Sequence, residues 1–81
     1  MESNSIDVYV QLGKRIAYLR KERHLSQLQL GLVSGLTKSY LSDLERGRRN
    51  PTLKILNKIA IALGVTLEEL FRGVVSLEQL L

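Results

Sequence analysis

The sequence has no cysteine and no tryptophan, and it has only one histidine and one proline. Without cysteine, neither a disulfide framework nor a thiolate metal site can form. His24 has no second histidine or cysteine with which to complete a set of zinc ligands. We therefore expect no metal site, and we expect His24 to be a solvated turn residue.

Long apolar runs are also missing. The longest central run, residues 59–63, is far shorter than the roughly 20 residues that a membrane-spanning helix needs. The first residues of the chain lack the basic start and the apolar region of a secretory signal. These absences predict a cytoplasmic protein that does not enter a membrane.

Catalytic motifs are missing as well. The sequence has no glycine-rich phosphate loop, and it has no Ser-His-Asp arrangement that a packed helical domain of 81 residues could hold. Glu68 and Glu69 are adjacent rather than opposed, so they do not form a pair of catalytic carboxylates. We expect no catalytic residues and no cofactor, and we predict that the protein is not an enzyme.

Basic side chains are concentrated in the middle of the chain. The sequence has 12 Lys and Arg against 8 Asp and Glu, and residues 14–58 hold eleven of the basic and three of the acidic side chains. Such a segment is typical of proteins that bind a polyanion, because each neutralised phosphate releases condensed counterions. A basic composition can also do no more than keep a small protein soluble. Charge alone leaves both interpretations open.

Apolar residues recur at helical spacing, and capping residues and glycines separate the segments. The predicted N-caps are Ser26, Thr37, Thr52 and Thr66. The predicted inward-facing residues are Val8, Leu12, Ile16 and Leu19 in the first helix, Leu30 and Val33 in the second, Leu41 and Leu44 in the third, and Leu53, Leu56, Ile59, Ala60 and Leu63 in the fourth. This pattern predicts an all-α domain of five helices, and a last capping pattern at Ser76 and Gln79 allows a short sixth.

Two of these helices have the spacing of a helix-turn-helix. Counting from Gln27, the small residue Gly31 falls at the fifth position, where the two helices must approach each other closely. Gly35 falls at the ninth position, inside the turn, where the backbone must adopt a left-handed conformation. The apolar residues that hold the second helix across the first are Leu30, Leu36, Leu41 and Leu44.

The order of these residues resembles that of a known family. The motifs are Ser26-Gln27, Leu30-Gly31, residues 34–47, Asn50-Pro51-Thr52, Ile59-Ala60 and residues 62–65. Over about residues 10–72 the sequence is similar to the Cro/repressor-type Xre family of DNA-binding regulators. Single-domain members include phage repressors, biofilm repressors and restriction–modification controller proteins. Gly31 departs from the alanine that is usual in the family.

The resemblance implies a compact, lambda-repressor-like helix-turn-helix domain over residues 7–73. Residues 1–6 precede this domain as an N-terminal arm. Residues 74–81 form a short apolar C-terminal segment that the family motif does not define, and we expect it to take part in dimerisation. The resemblance also implies an ion pair between Arg20 and Glu45, which ties the first helix to the end of the recognition helix.

The same resemblance implies where DNA is contacted. A recognition helix begins near Thr37, and its first side chains enter the major groove. The outward residues expected to read bases are Lys38, Ser39, Ser42 and Asp43. Lys38 would donate to a guanine edge, and Asp43 would accept from a cytosine amino group. The residues expected at the DNA backbone are Gln27, Thr37, Tyr40, Arg46, Arg48, Arg49 and Asn50.

Two of these assignments have alternatives. Tyr40 is either a phosphate contact or a half-buried packing residue, since amphipathic tyrosines commonly serve both purposes. The arginine run after the recognition helix either follows the sugar–phosphate strand or is simply a solvated loop.

The sequence therefore predicts a transcriptional regulator, a repressor or controller, that binds a palindromic operator in double-stranded DNA as a homodimer. Two-fold pairing separates the recognition helices by about 34 Å, one turn of B-DNA. The residues expected at the dimer interface are Leu67, Leu70, Phe71, Val74, Val75, Leu77, Leu80 and Leu81. A regulatory protein or RNA polymerase is a further expected partner. The alternative function is a protein-interaction module on the same fold without specific DNA binding.

Overall fold

The computed structural model describes residues 7–74, and this part of the chain contains five α-helices and no strand. The helices are α1 (Val8–Glu22), α2 (Gln27–Ser34), α3 (Lys38–Glu45), α4 (Leu53–Leu63) and α5 (Leu67–Leu70). The prediction of an all-α, five-helix domain is confirmed. The predicted arm over residues 1–6 and the predicted sixth helix lie outside the described residues. Among the described helices, none has the length and apolar composition needed to cross a bilayer.

Hydrogen bonds at the N-termini fix where the helices begin. Before each helix, a side chain accepts a backbone N–H of the first turn, which has no partner within the helix. Ser26 and Thr66 form complete capping boxes, in which Gln29 and Glu69 accept the backbone N–H of the cap in return. The other N-caps are Asp7, Thr37 and Thr52. All four N-caps expected from the sequence are therefore present.

The core lies where the five helices meet. α1 packs against α3 and α5, α2 packs against α3 and α4, and α4 packs against α5. The buried apolar residues are Leu12, Ile16, Leu19, Leu30, Leu41, Leu44, Leu56, Ile59, Ala60, Leu63 and Leu70. α3 therefore has one side in the core and the other at the surface.

Two residues that helical spacing placed in the core lie at its edge. Val8 is 37% exposed and Leu53 is 64% exposed, so their predicted inward position is wrong. Each is the first residue of its helix. The neighbouring helices do not cover these first turns as they cover the next buried positions, Leu12 and Leu56.

The inner face of α2 also differs from its prediction. Val33 is 65% exposed, whereas Leu30, Gly31 and Ser34 are buried. A Cβ added at Gly31 would overlap the carbonyl oxygen of Leu36, and the Ser34 hydroxyl donates to the Leu30 carbonyl at 2.7 Å. α2 thus approaches its neighbours through the small residues Gly31 and Ser34. Because the buried face of α2 runs through these residues, Val33 lies in solvent.

α1 crosses the end of α3 at Gly13. A Cβ added at this buried glycine would lie 2.5 Å from the carbonyl oxygens of both Leu44 and Glu45. Real Cβ atoms do not approach backbone atoms so closely, so any side chain here must displace one helix. The backbones of α1 and α3 are therefore in direct contact. The sequence pattern assigned Gly13 no role.

The turn after α1 contains the single histidine. His24 is exposed and has a φ of 57°, and its N–H donates to the Lys21 carbonyl at 2.9 Å. The next N–H, that of Leu25, donates to the Arg20 carbonyl at 3.1 Å. These bonds end α1, and the prediction that His24 is a solvated turn residue is confirmed.

Candidate nucleic-acid interface

α2 and α3 are joined by a turn that fixes the direction of α3. Gly35 adopts a left-handed φ of 77°, and the Leu36 N–H donates to the Gly31 carbonyl at 2.9 Å. Thr37 then starts α3 by accepting the Tyr40 N–H at 3.0 Å. The buried side of α3 presses two leucines into the core. These contacts form the helix-turn-helix that the spacing predicts.

The outer side of α3 carries four polar residues together. Lys38 and Ser39 are exposed, and Ser42 and Asp43 are partly exposed. Their spacing of one, four and five positions from Lys38 places them on one face of a helix. The group combines an ammonium, two hydroxyls and a carboxylate, which are the donors and acceptors that read base edges in the major groove.

A basic loop follows α3 and lies beside this face. Gly47 has a φ of 78°, and the Arg48 N–H donates to the Asp43 carbonyl at 2.9 Å, so the chain folds back over the end of α3. The exposed side chains of this loop are Arg46, Arg48, Arg49 and Asn50. The loop therefore presents positive charge next to the outer side of α3, where a polyanion is bound favourably.

One loop arginine contacts α3 itself. Arg49 Nη2 lies 3.3 Å from Asp43 Oδ2, and the Arg49 guanidinium carbon lies 5.1 Å from the centroid of the Tyr40 ring. Tyr40 is half-buried and packs against the core. The structure shows the packing role that was one of the two alternatives for Tyr40, and the contact with phosphate stays a prediction. Sequence reasoning treated Asp43 and Arg49 separately and missed this cluster.

A buried ion pair connects α1 to the end of α3. Arg20 Nε lies 2.6 Å from Glu45 Oε2, and Arg20 Nη2 donates to Glu45 Oε1 at 3.0 Å. Only 10% and 8% of the two side chains are exposed. Hydrogen bonding to Glu45 raises the pKa of Arg20 above its ordinary value and outweighs the lowering by burial. The structure therefore contains the pair that the resemblance implies.

Gln27 joins the same cluster from α2. Its Nε2 donates to Glu45 Oε1 at 2.9 Å, so Glu45 receives hydrogen bonds from two helices. The sequence assigned Gln27 to a DNA phosphate. In the structure its amide nitrogen is directed at Glu45 from the first position of α2.

Arg15 of α1 and Arg23, the residue that follows α1, hold the ends of other helices. Arg15 Nε and Nη2 donate to the Glu69 carbonyl at 3.1 and 2.9 Å, and Arg23 Nε donates to the Leu63 carbonyl. Carbonyls at the last turn of a helix lack partners within it, and a basic side chain satisfies them. Part of the central positive charge therefore serves the fold. Local sequence could not show this, because the partners are 54 and 40 positions away.

The expected dimer surface is partly core. Leu70 has 0% exposure within the single chain, so its assignment to a dimer interface is wrong: α1 and α4 already cover it. Leu67, Phe71 and Val74 are half-buried. Phe71 and Val74 line an open cavity of about 370 Å³, together with residues from the start of α1. The other expected interface residues, Val75, Leu77, Leu80 and Leu81, lie outside the described residues.

Comparison with known proteins agrees with this geometry. A protein-family model described as "Helix-turn-helix" matches residues 16–70. The immunity repressor protein of Bacillus phage phi105 is 50% identical over 54 residues, which are 67% of this chain and 38% of the repressor. The chain thus corresponds to less than half of that repressor's length.

Two solved structures are similar in both fold and sequence. The restriction-modification controller protein C.AhdI from Aeromonas hydrophila has a TM-score of 0.76 and 43% identity, covering 78% of this chain and 96% of the controller. SinR, the master regulator for biofilm formation, solved in complex with DNA, has a TM-score of 0.70 and 38% identity. That likeness covers 74% of this chain and 97% of the SinR chain.

Proposed function

The chain belongs to the helix-turn-helix family of transcriptional regulators, and from this premise we propose that it recognises an operator sequence in double-stranded DNA as a homodimer. Proteins of this family are regulators rather than enzymes. The observation that carries the proposal is the outer side of α3, where four side chains able to read bases lie together next to a basic loop.

In the proposed complex α3 lies in the major groove. Lys38 donates to a guanine edge, and Asp43 accepts from an exocyclic base amino group. Ser39 and Ser42 bond either to a base or to a phosphate oxygen. The buried Arg20–Glu45 pair holds the end of α3 on α1 and thereby sets the angle at which α3 enters the groove.

The surrounding residues bind the DNA backbone. Arg46, Arg48 and Asn50 follow the strand beside the loop, and each basic contact adds affinity that does not depend on sequence. Thr37 and Tyr40 contact phosphate at the start of α3. The Gln27 side chain donates either to a phosphate in place of Glu45 or to both groups at once. Gln27 is the first residue of α2, and the free backbone N–H groups at the start of a helix favour an anion.

A homodimer explains how so small a reading surface gains specificity. A single module makes few base contacts, whereas two copies about 34 Å apart read two half-sites of a palindrome. The surface that supports pairing is formed by Leu67, Phe71 and Val74, which are only half-buried in the single chain. SinR, a structural neighbour, is solved with DNA. A regulator of this kind works in the cytoplasm as a repressor or controller.

A second candidate, a protein-interaction module, is favoured by one other surface. Leu32, Val33 and Ile61 are 76%, 65% and 70% exposed, and all three line an open depression between α2 and α4. Apolar side chains that face water together are typical of contact with another protein. On this alternative a regulatory protein or RNA polymerase occupies the depression, and α3 reads no sequence.

Selection from random duplexes tests the two functions. The purified chain is mixed with a pool of random double-stranded DNA at low and at high salt, and the retained duplexes are sequenced. The proposal expects one two-fold symmetric motif that persists at high salt. A matched variant, Lys38→Ala with Ser42→Ala, keeps every loop arginine and should lose the motif while retaining low-salt binding. Binding without enrichment by the unaltered chain would favour the interaction module.

A further inference from the structure

The cluster of Arg49, Asp43 and Tyr40 joins the basic loop to the reading face of α3. Asp43 and Tyr40 are three positions apart on α3 and therefore neighbours on its surface. Arg49 contacts both, with 3.3 Å to the carboxylate and 5.1 Å to the ring centroid. The guanidinium thus forms a bridge across one edge of the surface that would face the bases.

The backbone of the loop brings Arg49 to this position. Gly47 is left-handed, and a Cβ there would lie 2.7 Å from Val10 Cγ2, so the loop is pressed against α1. The Arg48 N–H then bonds to the Asp43 carbonyl at 2.9 Å. The loop is therefore anchored on both sides of the turn, and the next side chain, Arg49, extends back along α3.

The ion pair is too exposed to act mainly on stability. The Arg49 and Asp43 side chains are 48% and 33% exposed, and pairs of this kind are screened by solvent. Their charges nevertheless matter at a DNA surface, because an unpaired carboxylate on α3 would be repelled by the phosphates. Arg49 engages Oδ2 of Asp43. The other oxygen, Oδ1, can then accept from a base amino group.

We propose that Arg49 is a positioning residue for specificity: it neutralises Asp43 and holds its carboxylate so that Oδ1 meets the amino group of a cytosine or adenine. This inference rests on the proposed function. It changes the role of Arg49 from a phosphate contact to a part of the base-reading surface. Arg48, which is exposed in the same loop, remains a backbone contact and provides a matched comparison.

The test compares Arg49→Gln with Arg48→Gln, which remove the same charge from adjacent positions. Dissociation constants are measured for the selected operator and for duplexes changed at each base pair of one half-site. We expect Arg49→Gln to reduce the preference for one base pair by about tenfold, the size of one good base contact. Arg48→Gln should weaken all duplexes by the same factor and leave their ratios unchanged.

Two further variants separate position from charge. Asp43→Asn should lose preference at the same base pair as Arg49→Gln, and the double variant should be no worse than Asp43→Asn, because both changes disable one contact. Arg49→Lys keeps the charge but lacks the planar fork, so it should restore affinity at low salt without restoring the preference.

Uniform weakening of all duplexes by Arg49→Gln, additive with Asp43→Asn, would overturn the inference while leaving the proposed function in place. If the unaltered chain does not distinguish the selected operator from a scrambled duplex, the proposed function itself fails, and the inference fails with it. Thermal unfolding by circular dichroism checks that every variant is folded, as expected for side chains that are exposed or partly exposed.

Discussion

At the scale of single residues, the described chain contains two arginine–carboxylate pairs that differ in burial. Arg20 and Glu45 keep 10% and 8% of their side-chain exposure, whereas Arg49 and Asp43 keep 48% and 33%. A buried pair that loses one partner leaves a charge without compensation, but an exposed charge is solvated by water. The same chemistry therefore anchors α3 inside the fold in one place and joins two surface side chains in the other.

Removing Arg20 should destabilise the fold. We expect Arg20→Ala to lower the free energy of unfolding by about 3 kcal/mol or more, because Glu45 stays buried without its cation. Urea denaturation followed by circular dichroism measures this. Arg49→Ala is the control and should change the same quantity by less than about 1 kcal/mol. Equal losses in the two variants would contradict the distinction between the pairs.

Removing Lys38 should affect reading rather than folding. Lys38 is exposed at the first position of α3. We expect Lys38→Ala to lose about 1–3 kcal/mol of discrimination at one base pair, with other positions unchanged. Arg48→Ala should instead weaken all sequences and reduce the salt slope of binding by about one unit. The assignment is contradicted if Lys38→Ala weakens operator and random DNA equally.

At the scale of helices, much of the fold can be predicted because helix ends are local events. A cap and its partner lie three residues apart, so Ser26 with Gln29 and Thr66 with Glu69 are visible in the sequence. The outward residues of α3 follow from helical spacing alone. Val33 could not be placed in this way, because the buried face of α2 depends on how closely other helices approach its small residues.

The capping box of α5 should make stability depend on acidity. A hydrogen bond from the Thr66 backbone N–H lowers the pKa of Glu69 below its ordinary value of 4.5. Its contribution to stability is therefore complete above about pH 4.5 and is lost as the pH falls through the lowered pKa. Glu69→Gln keeps an acceptor for the cap but does not titrate.

Thermal unfolding at several pH values measures this contribution. The difference in melting temperature between the original chain and Glu69→Gln should be constant near neutral pH. It should shrink as the pH falls below 4.5 and through the lowered pKa of Glu69, where the carboxylate takes up its proton. A difference that does not change with pH would show that the charge of Glu69 has no part in the cap.

At the scale of the whole molecule, α1 and its C-cap residue Arg23 hold the other helices in place. Gly13 touches the end of α3, Arg15 bonds to the Glu69 carbonyl of α5, and Arg23 bonds to the Leu63 carbonyl of α4. None of these contacts has a local signal, because each joins residues that meet only after the helices have packed. The candidate site could likewise be predicted only in part. The outward residues of α3 follow from the sequence, but the contacts of Arg49 with Asp43 and Tyr40 do not.

The proposed homodimer should depend on the C-terminal part of the chain. A variant that ends at Gly73 lacks Val74 and the apolar residues beyond it. We therefore expect sedimentation equilibrium at micromolar concentration to give the mass of a single shortened chain rather than that of a pair. Leu32→Ser changes the exposed depression between α2 and α4 and should leave the mass unaltered. If the shortened chain still sediments as a pair while Leu32→Ser sediments as a single chain, the interface lies at that depression instead.

The contact of α1 with α3 at Gly13 also bears on how such a protein is redesigned. The residues that hold α3 against the rest of the fold are separate from the side chains on its outer side. They are Gly13, Leu41, Leu44 and Glu45. The outer residues of α3 can therefore be exchanged as a set while the contacts that hold the helix in place stay intact. On the proposed function, such an exchange would change the DNA sequence that is bound. Position 13 should stay glycine, because any side chain there would displace α1 or α3.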